Sequence, residues 1–240
     1  MNCDNGSDQL FSIEGCVPAV FVSRPNRFLL VATFSWGGSV EVHVPDPGRL
    51  KELLYPGNDL LIIPARPGSV RKTKWSLAGA KDPTGWILVN TAFHRKISSS
   101  LFSSRHSPLG IAVTLQAEVG SPSGKSRFDF LLNGDTWVEV KGCTLKIGRK
   151  ALFPDAPTVR GVKHLTELTE MALRGLRTAV VFLVFVRDVE CFSPNRITDP
   201  KFAEALGRAV AAGVEVYPVQ LSFDGAMVRY SGLLNLVQDP

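Results

Sequence analysis

The chain has 240 residues, 45% of them hydrophobic, a formal net charge of +5 and four cysteines. That length builds one large domain or two smaller ones, each with its own core, and the composition is normal for a soluble globular protein. A membrane-spanning helix is excluded, because the longest apolar run, 179–186, is only strand length, and a modest basic excess does not by itself assign nucleic-acid binding.

Residues 1–8 carry neither a basic nor an apolar region, so they are not a signal peptide. Residues 1–14 are expected to form a polar N-terminal tail, and without a targeting signal the expected location is the cytoplasm. Cys3, Cys16, Cys143 and Cys191 stand far apart, with no C-x-x-C pair and no zinc spacing among the histidines. They read as reduced thiols, Cys143 as a strand-packing residue.

Residues 15–85 read as short strands and turns. Strands are predicted at 17–22, 28–34 and around Val40, Val42 and Val44, which alternate with Glu41 and His43. Pro45-Asp46-Pro47-Gly48 is a dense turn signal, followed by a helical turn over 49–54 and a strand at 60–63. Between Arg66 and Lys81 lie five basic residues (Arg66, Arg71, Lys72, Lys74 and Lys81), one tryptophan, Trp75, and no acid. Basic stretches interleaved with aromatics suit a polyanion with stackable bases. Small, strand-rich, turn-rich and basic together predict a barrel of the oligonucleotide-binding (OB) type, with an SH3-like barrel reading similarly.

Residues 86–240 change pattern. A helix is predicted at 92–102, then three strands at 111–118, 126–132 and 136–145. A Pro-rich loop leads to Thr158, a candidate N-cap, and a helix over 159–174, in which Glu170 has the favourable i,i+4 orientation toward Arg174. A buried strand at 179–186, a helix at 202–211 and a strand at 214–219 complete the order. The fold class is α/β (α+β): a small N-terminal barrel followed by a mixed sheet flanked by helices.

The chemistry concentrates on the second and third of those three strands. Asp129 lies between Phe128 and Phe130, and Glu139 and Lys141 flank Val140. Side chains alternate across a strand, so Glu139 and Lys141 share one face. If the strands pair as a hairpin across Asn133-Gly134-Asp135, the three groups converge. Two acids beside one ammonium suit a hydrated divalent cation next to a phosphodiester, the arrangement of a metal-dependent nuclease. Without a cation the two carboxylates would repel and one would tend to protonate. The pattern is short. Asp188 followed by Asp199-Pro200-Lys201 repeats it in what reads as a loop feeding a helix, and a half-exposed strand with a solvated Glu and Lys fits the same letters.

The order of elements resembles the core of the PD-(D/E)xK nuclease superfamily, with its restriction-endonuclease-like sheet, where the acid and the E-x-K lie on the second and third strands. Nearly the whole chain resembles the sugar fermentation stimulation protein A family. The resemblance rests on Asn26-Arg27-Phe28, Val42-His43-Val44-Pro45-Asp46-Pro47-Gly48-Arg49-Leu50, Lys125-Ser126-Arg127-Phe128-Asp129-Phe130, Val138-Glu139-Val140-Lys141 and Thr144-Leu145. Phe153-Pro154-Asp155-Ala156-Pro157-Thr158-Val159-Arg160-Gly161-Val162-Lys163-His164-Leu165 is its most distinctive stretch, and Phe192-Ser193-Pro194 and Gly213-Val214-Glu215-Val216 continue it. The resemblance implies an N-terminal OB-type barrel over 15–85, a nuclease-like domain over 86–240, DNA association and a link to sugar metabolism. Three places depart from the family pattern: Asp46 stands where Asn is usual, Gly142-Cys143 where Ser-Val is usual, and Val119-Gly120-Ser121-Pro122 where Val-Lys-Tyr-Gly is usual.

On this reading Asp129 and Glu139 hold Mg²⁺ or Mn²⁺, with the Val140 carbonyl a third ligand, and Asp129, Glu139 and Lys141 are catalytic. Glu118 either reaches a metal or makes a plain salt bridge. Arg27, Arg49, Arg71, Lys72, Lys74 and Lys163 are the expected nucleic-acid contacts, with Trp75 either a stacking platform or a barrel plug. His164 reads as a helix-surface residue at a rim, and Asp155 as a residue that orders its loop or caps the helix. The leading function is a DNA-binding protein that hydrolyses phosphodiesters. The alternative is a non-cleaving DNA-binding regulator of sugar-metabolism genes; a sugar-binding barrel is the third reading. No membrane partner is expected.

Overall fold

The structure is a computed structural model and describes residues 8–65, 68 and 70–237. Residues 1–7 of the expected tail, with Cys3, and Arg66 of the basic run lie outside the described residues.

The first half consists of strands β1 (Gln9–Ser12), β2 (Val17–Asn26), β3 (Leu29–Thr33), β4 (Ser39–His43), β5 (Asp59–Pro64), β6 (Trp75–Asp82) and β7 (Gly85–Leu88). β2, β3 and β4 form an antiparallel meander, and β5 pairs with both β2 and β6. β6 then returns parallel to β4 through Val42↔Trp75 and His43↔Ser76. The ring β2-β3-β4-β6-β5 closes on itself, a five-stranded Greek-key barrel of the expected kind. Leu30, Val42, Leu60, Ile62 and Leu77 fill it, each fully buried.

The second half opens with a 3₁₀ turn (Thr91–Phe93) and α1 (His94–Phe102), then β8 (Leu115–Gly120), β9 (Arg127–Leu132), β10 (Thr136–Cys143), β11 (Leu145–Ile147) and β12 (Lys150–Phe153). It continues with α2 (Val159–Leu173), β13 (Arg177–Val184), β14 (Cys191–Pro194), α3 (Pro200–Ala211), β15 (Glu215–Phe223), β16 (Met227–Leu233) and β17 (Asn235–Leu236). β8, β9 and β10 are antiparallel neighbours, and β10, β13 and β15 are parallel. Of the parallel strands, the central one, β13, is a near-continuous apolar run, as burial on both faces requires; every residue from Ala179 to Val186 is buried. β7 joins barrel to second sheet through Trp86↔Phe223, so one sheet runs through both halves. β11, β12, β14 and β17 form a separate small sheet.

Several expectations shift. Within the expected tail, residues 9–12 form β1 and pair with β16, because Leu10 and Ile13 supply two buried apolar side chains. The strand expected at 111–118 begins only at Leu115, since the Asn133 side chain accepts the amides of Val113 and Thr114 at 2.8 and 3.2 Å and holds them in a loop. Over 49–54 there is a single turn, in which the Leu53 and Leu54 amides both donate to the Leu50 carbonyl. Glu170 pairs with Lys125 at 3.6 Å. Asp199-Pro200-Lys201 does start a helix: Asp199 accepts the Phe202 amide at 3.0 Å with Pro200 at the first helical position.

Two contacts tie the halves into a seam. The loop after β4 is held by Arg24, which donates to the carbonyls of Arg49, Arg27 and Gly48, while Asp46 accepts the Gly48 amide at 2.7 Å. From the other side Asp155 accepts the Leu50 amide at 3.2 Å, and Thr91 donates to the Pro45 carbonyl at 2.9 Å. Gly48 leaves room for both carboxylates, because a Cβ would stand 2.6 Å from an Asp155 oxygen and 2.9 Å from an Asp46 oxygen and would make them shift. On the β10 side the His94 ring stacks on Phe185, centroids 5.6 Å apart, and lies over Gly142. A Cβ at Gly142 would fall 2.9 Å from His94 Nε2 and closer still to Cε1.

Burial, the largest effect, pushes the Asp46 carboxyl up to about 6; the Gly48 amide opposes it, Asp155 adds to it and Arg24 opposes it. A carboxyl whose native pKa is raised binds its proton more tightly when folded. Its contribution is therefore full below the unfolded value of 3.8 and lost as pH rises through about 6. Asp46→Asn keeps an oxygen for the Gly48 amide and has no charge to desolvate. Urea melts should show it more stable than the parent by on the order of 1–2 kcal/mol at pH 8 and no more stable at pH 3.5; an equal gain at both would contradict the seam geometry. Gly142→Ala should cost about 1–3 kcal/mol by overpacking, and His94→Ala in the same chain should recover most of that loss. Strictly additive losses would mean that the two residues do not meet.

Candidate functional site

The turn between β9 and β10 sets the site. Asn133 and Gly134 both take left-handed backbone angles, φ 50° and 75°, at the centre of a tight turn closed by the Asp135 amide donating to the Leu132 carbonyl, within a three-residue connection. It fixes the register Thr136↔Leu132, Trp137↔Leu131 and Val138↔Phe130. One step further Glu139 stands opposite Asp129, on the face away from buried Phe128 and Phe130. On the other side of β9, Ala117↔Phe130 and Val119↔Phe128 bracket Glu118, setting it beside Asp129. Three acids thus lie in one row across β8, β9 and β10. Glu118 has φ 56°, strained for a residue with a side chain.

Each acid has a different environment. Glu139 is only 3% exposed. Its Oε1 accepts from Lys141 Nζ at 2.5 Å and from His164 Nδ1, while its Oε2 is buried without a hydrogen-bond partner. Burial is the strongest influence and raises its pKa, but the His164 hydrogen bond and the Lys141 charge together outweigh it and hold the carboxyl below the usual range. Asp129 Oδ2 accepts the Val140 amide at 2.7 Å. Burial first and the Glu139 charge second push its carboxyl up to about 6. Glu118 is half exposed and ion-paired to Arg95 of α1. Among the described residues, no group of three or more His, Cys, Asp or Glu side chains is placed to hold a metal ion. The groups that would hold a cation here are the Asp129 carboxylate, the unpartnered Glu139 oxygen and the Val140 carbonyl, all hard oxygen donors.

His164 corrects the expectation of a rim residue. It is 4% exposed, packed edge-on to Phe128. Arg160 Nε donates to its Nε2 at 3.4 Å, which leaves the proton on Nδ1 for Glu139. Asp155 serves the seam, and the α2 cap is Thr158, whose hydroxyl accepts the Gly161 amide at 3.0 Å.

Asp129, Val140 and Lys141 line a cleft of about 1400 Å³ between the two halves, together with Glu118, His94 and Arg160. Burial, and then the Lys141 charge, lower the His94 pKa to about 4 and keep its ring neutral. From the barrel, Arg27, Arg49 and Arg71 reach the same cleft. Lys72 and Lys74 are exposed outside it. Lys163 borders a smaller hollow with Lys125, Arg127 and Arg160, its Nζ donating to the Lys125 carbonyl at 2.7 Å. Trp75 shares the Val42 side of the barrel wall, half-buried against the core and edge-on to Phe34. The exposed tryptophan of the barrel is Trp36, 69% accessible and stacked on Phe34 with centroids 4.6 Å apart. Cys143 is buried, and burial pushes its thiol up to about 12, as a packing residue requires. Among the described residues no helix is long and apolar enough to cross a membrane.

Sequence reasoning passed over His94, Arg95, Arg160 and Trp36. Arg160 and His164 carried a signal, an i,i+4 pair at the start of a helix. His94 and Arg95 had none, because only the packing of α1 on β10 brings them to the site.

Residues 22–89 match the family described as the SfsA N-terminal OB domain, and residues 88–227 that described as the sugar fermentation stimulation protein RE domain. A sugar fermentation stimulation protein homolog from Methanococcoides burtonii is 41% identical over 238 residues, covering 96% of each chain. One from Pyrobaculum neutrophilum is 44% identical over 218 residues, covering 88% of this chain and 89% of that one. The solved structure of Pyrococcus furiosus SfsA in complex with Ca²⁺ superposes with a TM-score of 0.86 at 28% identity, over 95% of this chain and 99% of that one. With an OB barrel, a mixed α/β second half and relatives along its whole length, the chain belongs to the sugar fermentation stimulation protein family, SfsA.

Proposed function

We propose that the chain binds nucleic acid, DNA foremost, in the cleft between its OB domain and its second half, and hydrolyses a phosphodiester bond there with Mg²⁺ or Mn²⁺. The observation that carries the reading is Asp129 and Lys141 on the wall of that cleft with buried Glu139 bonded to Lys141 behind them, one Glu139 oxygen left unpartnered. A buried, unsatisfied carboxylate oxygen is costly unless something else completes it. The acid on the middle strand of a meander and the E-x-K on the next resemble the PD-(D/E)xK nucleases. The Pyrococcus furiosus relative was solved with Ca²⁺, which supports a divalent-cation site here. Arg27, Arg49 and Arg71 facing the same space supply charge for phosphates.

Asp129 and Glu139 would hold the cation through carboxylate oxygens, joined by the Val140 carbonyl. When bound, the cation acidifies a water and neutralises charge gathering on the phosphate. Lys141 keeps an ammonium at a fixed place on the cleft wall, because Glu139 anchors it. There it offsets phosphate charge or orients the attacking water. Asp129, raised by burial first and by the Glu139 charge second, would lose that repulsion when positive charge sits between the two. The non-cleaving regulator keeps one observation in its favour: Glu118, the third acid of the row, is committed to Arg95.

The purified chain should cut DNA with Mg²⁺ or Mn²⁺ and stop on addition of EDTA. Asp129→Asn and Glu139→Gln should each abolish cutting, yet bind metal-free DNA at least as well, since each removes a negative charge near phosphate. Lys141→Ala should lose cleavage and still bind metal. Tight binding with no cutting of single- or double-stranded substrate would favour the regulator. Activity surviving in both carboxylate variants would place the chemistry elsewhere. The cleft arginines give a separate readout. Replacing Arg27, Arg49 and Arg71 with Ala should flatten the salt dependence of binding by about 0.7–0.9 log units for each phosphate no longer neutralised. An unchanged slope in the folded triple variant would remove the barrel wall from the interface.

A further inference from the structure

Glu139 has two oxygens with opposite fates. Oε1 receives both available donors, Lys141 Nζ and His164 Nδ1, while Oε2, equally buried, receives none. A free carboxylate would share two donors between its oxygens by rotating about its last bond. Here both donors approach from one side, so the carboxylate plane is locked. The lock has an outer layer: Arg160, on the cleft wall, donates to His164 Nε2 at 3.4 Å and so selects the tautomer whose proton lies on Nδ1. The His164 ring is itself wedged against Phe128.

Resting on the cation reading above, we propose that His164 is a positioning residue for the metal site. It fixes Glu139 by Oε1 so that Oε2 is presented ready-made to a divalent cation, and Arg160 fixes His164. Partners of ligating groups that act this way typically contribute 10–100-fold to metal affinity. The arrangement also accounts for a histidine 25 positions downstream of Glu139 being buried on a helix otherwise turned outward at Arg160 and Lys163.

The test measures Mn²⁺ binding to the full chain by calorimetry, without nucleic acid, so that it does not depend on cleavage. His164→Asn places an amide N–H close to where Nδ1 stands and should bind Mn²⁺ within about 3-fold of the parent. His164→Leu fills similar space against Phe128 without a donor and should bind about 10-fold or more weakly. A folded His164→Leu chain that binds Mn²⁺ like the parent overturns the proposal, as does equal weakening in both variants. Should His164→Leu not fold, His164→Ala titrated with free imidazole decides: affinity that recovers supports the role, and affinity that does not respond overturns it. A parent chain that takes up no Mn²⁺ at all removes the cation reading itself, a result distinct from a parent that binds and a variant that binds equally.

Discussion

A carboxylate buried to 3% exposure is the constraint around which the second half is arranged. Taking an ionised Glu out of water is tolerated only if charge and hydrogen bonds replace the solvent. Lys141 comes from the same strand at the same face and needs no tertiary structure to be near. The second donor must come from elsewhere, and α2 delivers it. The start of that helix is correspondingly pinned: Thr158 caps it, and the Thr158 amide donates at 2.7 Å to Asp199, which also caps α3. One aspartate thus sets the entry of both helices. A shift of either would move His164 and leave Glu139 half compensated.

The row of three acids shows how differently a sheet can treat equivalent positions. Glu139, flanked by a parallel partner on β13, is buried and given two donors. Asp129, on the middle strand of the meander, has one backbone amide and carries the repulsion of its neighbour. Glu118, on the edge strand, has a solvent-side arginine in a pair whose members are both substantially exposed, so its net contribution to stability is small. Compensation therefore falls from the sheet centre to its edge. Within the row, the buried oxygen left without a partner is Glu139 Oε2, one strand from Asp129 on the cleft wall. Positive charge placed there lowers the energy of groups whose burial the fold has already enforced.

Period-two alternation made β9, β10 and their turn readable, because the pattern is local and a buried face enforces it. The barrel was legible for the same reason, with its turns marked by Gly and Pro. What escaped depends on pairing across distance. β1 looked like tail because its partner β16 is more than 200 residues away in the chain. The short strands β11, β12, β14 and β17 carry too few residues for any period to show. His164 followed helical spacing, but nothing local told that its helix would turn that face onto Glu139. Trp75 and Trp36 illustrate the limit from the other side: both are tryptophans near turns, and only the barrel's closure through Val42↔Trp75 decides which one is inside.

The departures from the family pattern have local physical answers. Asp46 accepts the Gly48 amide through a single oxygen, a task an Asn oxygen would perform equally, so the exchange leaves the turn intact and alters only the charge. After Glu118, Ser121 and Ser123 hydrogen-bond to each other, and Ser123 donates to Glu167 of α2 at 2.5 Å, which secures the β8–β9 loop to the helix that carries His164. Gly142 leaves room for the His94 ring, which a side chain there would displace. That ring has Phe185 on one face and the cleft within reach. It is also held neutral beside Lys141, so it adds a polar edge to the site without competing for the lysine's anionic partners. The pairing of a glycine on β10 with a histidine on α1 is thus one packing unit, and neither residue's presence is explained without the other.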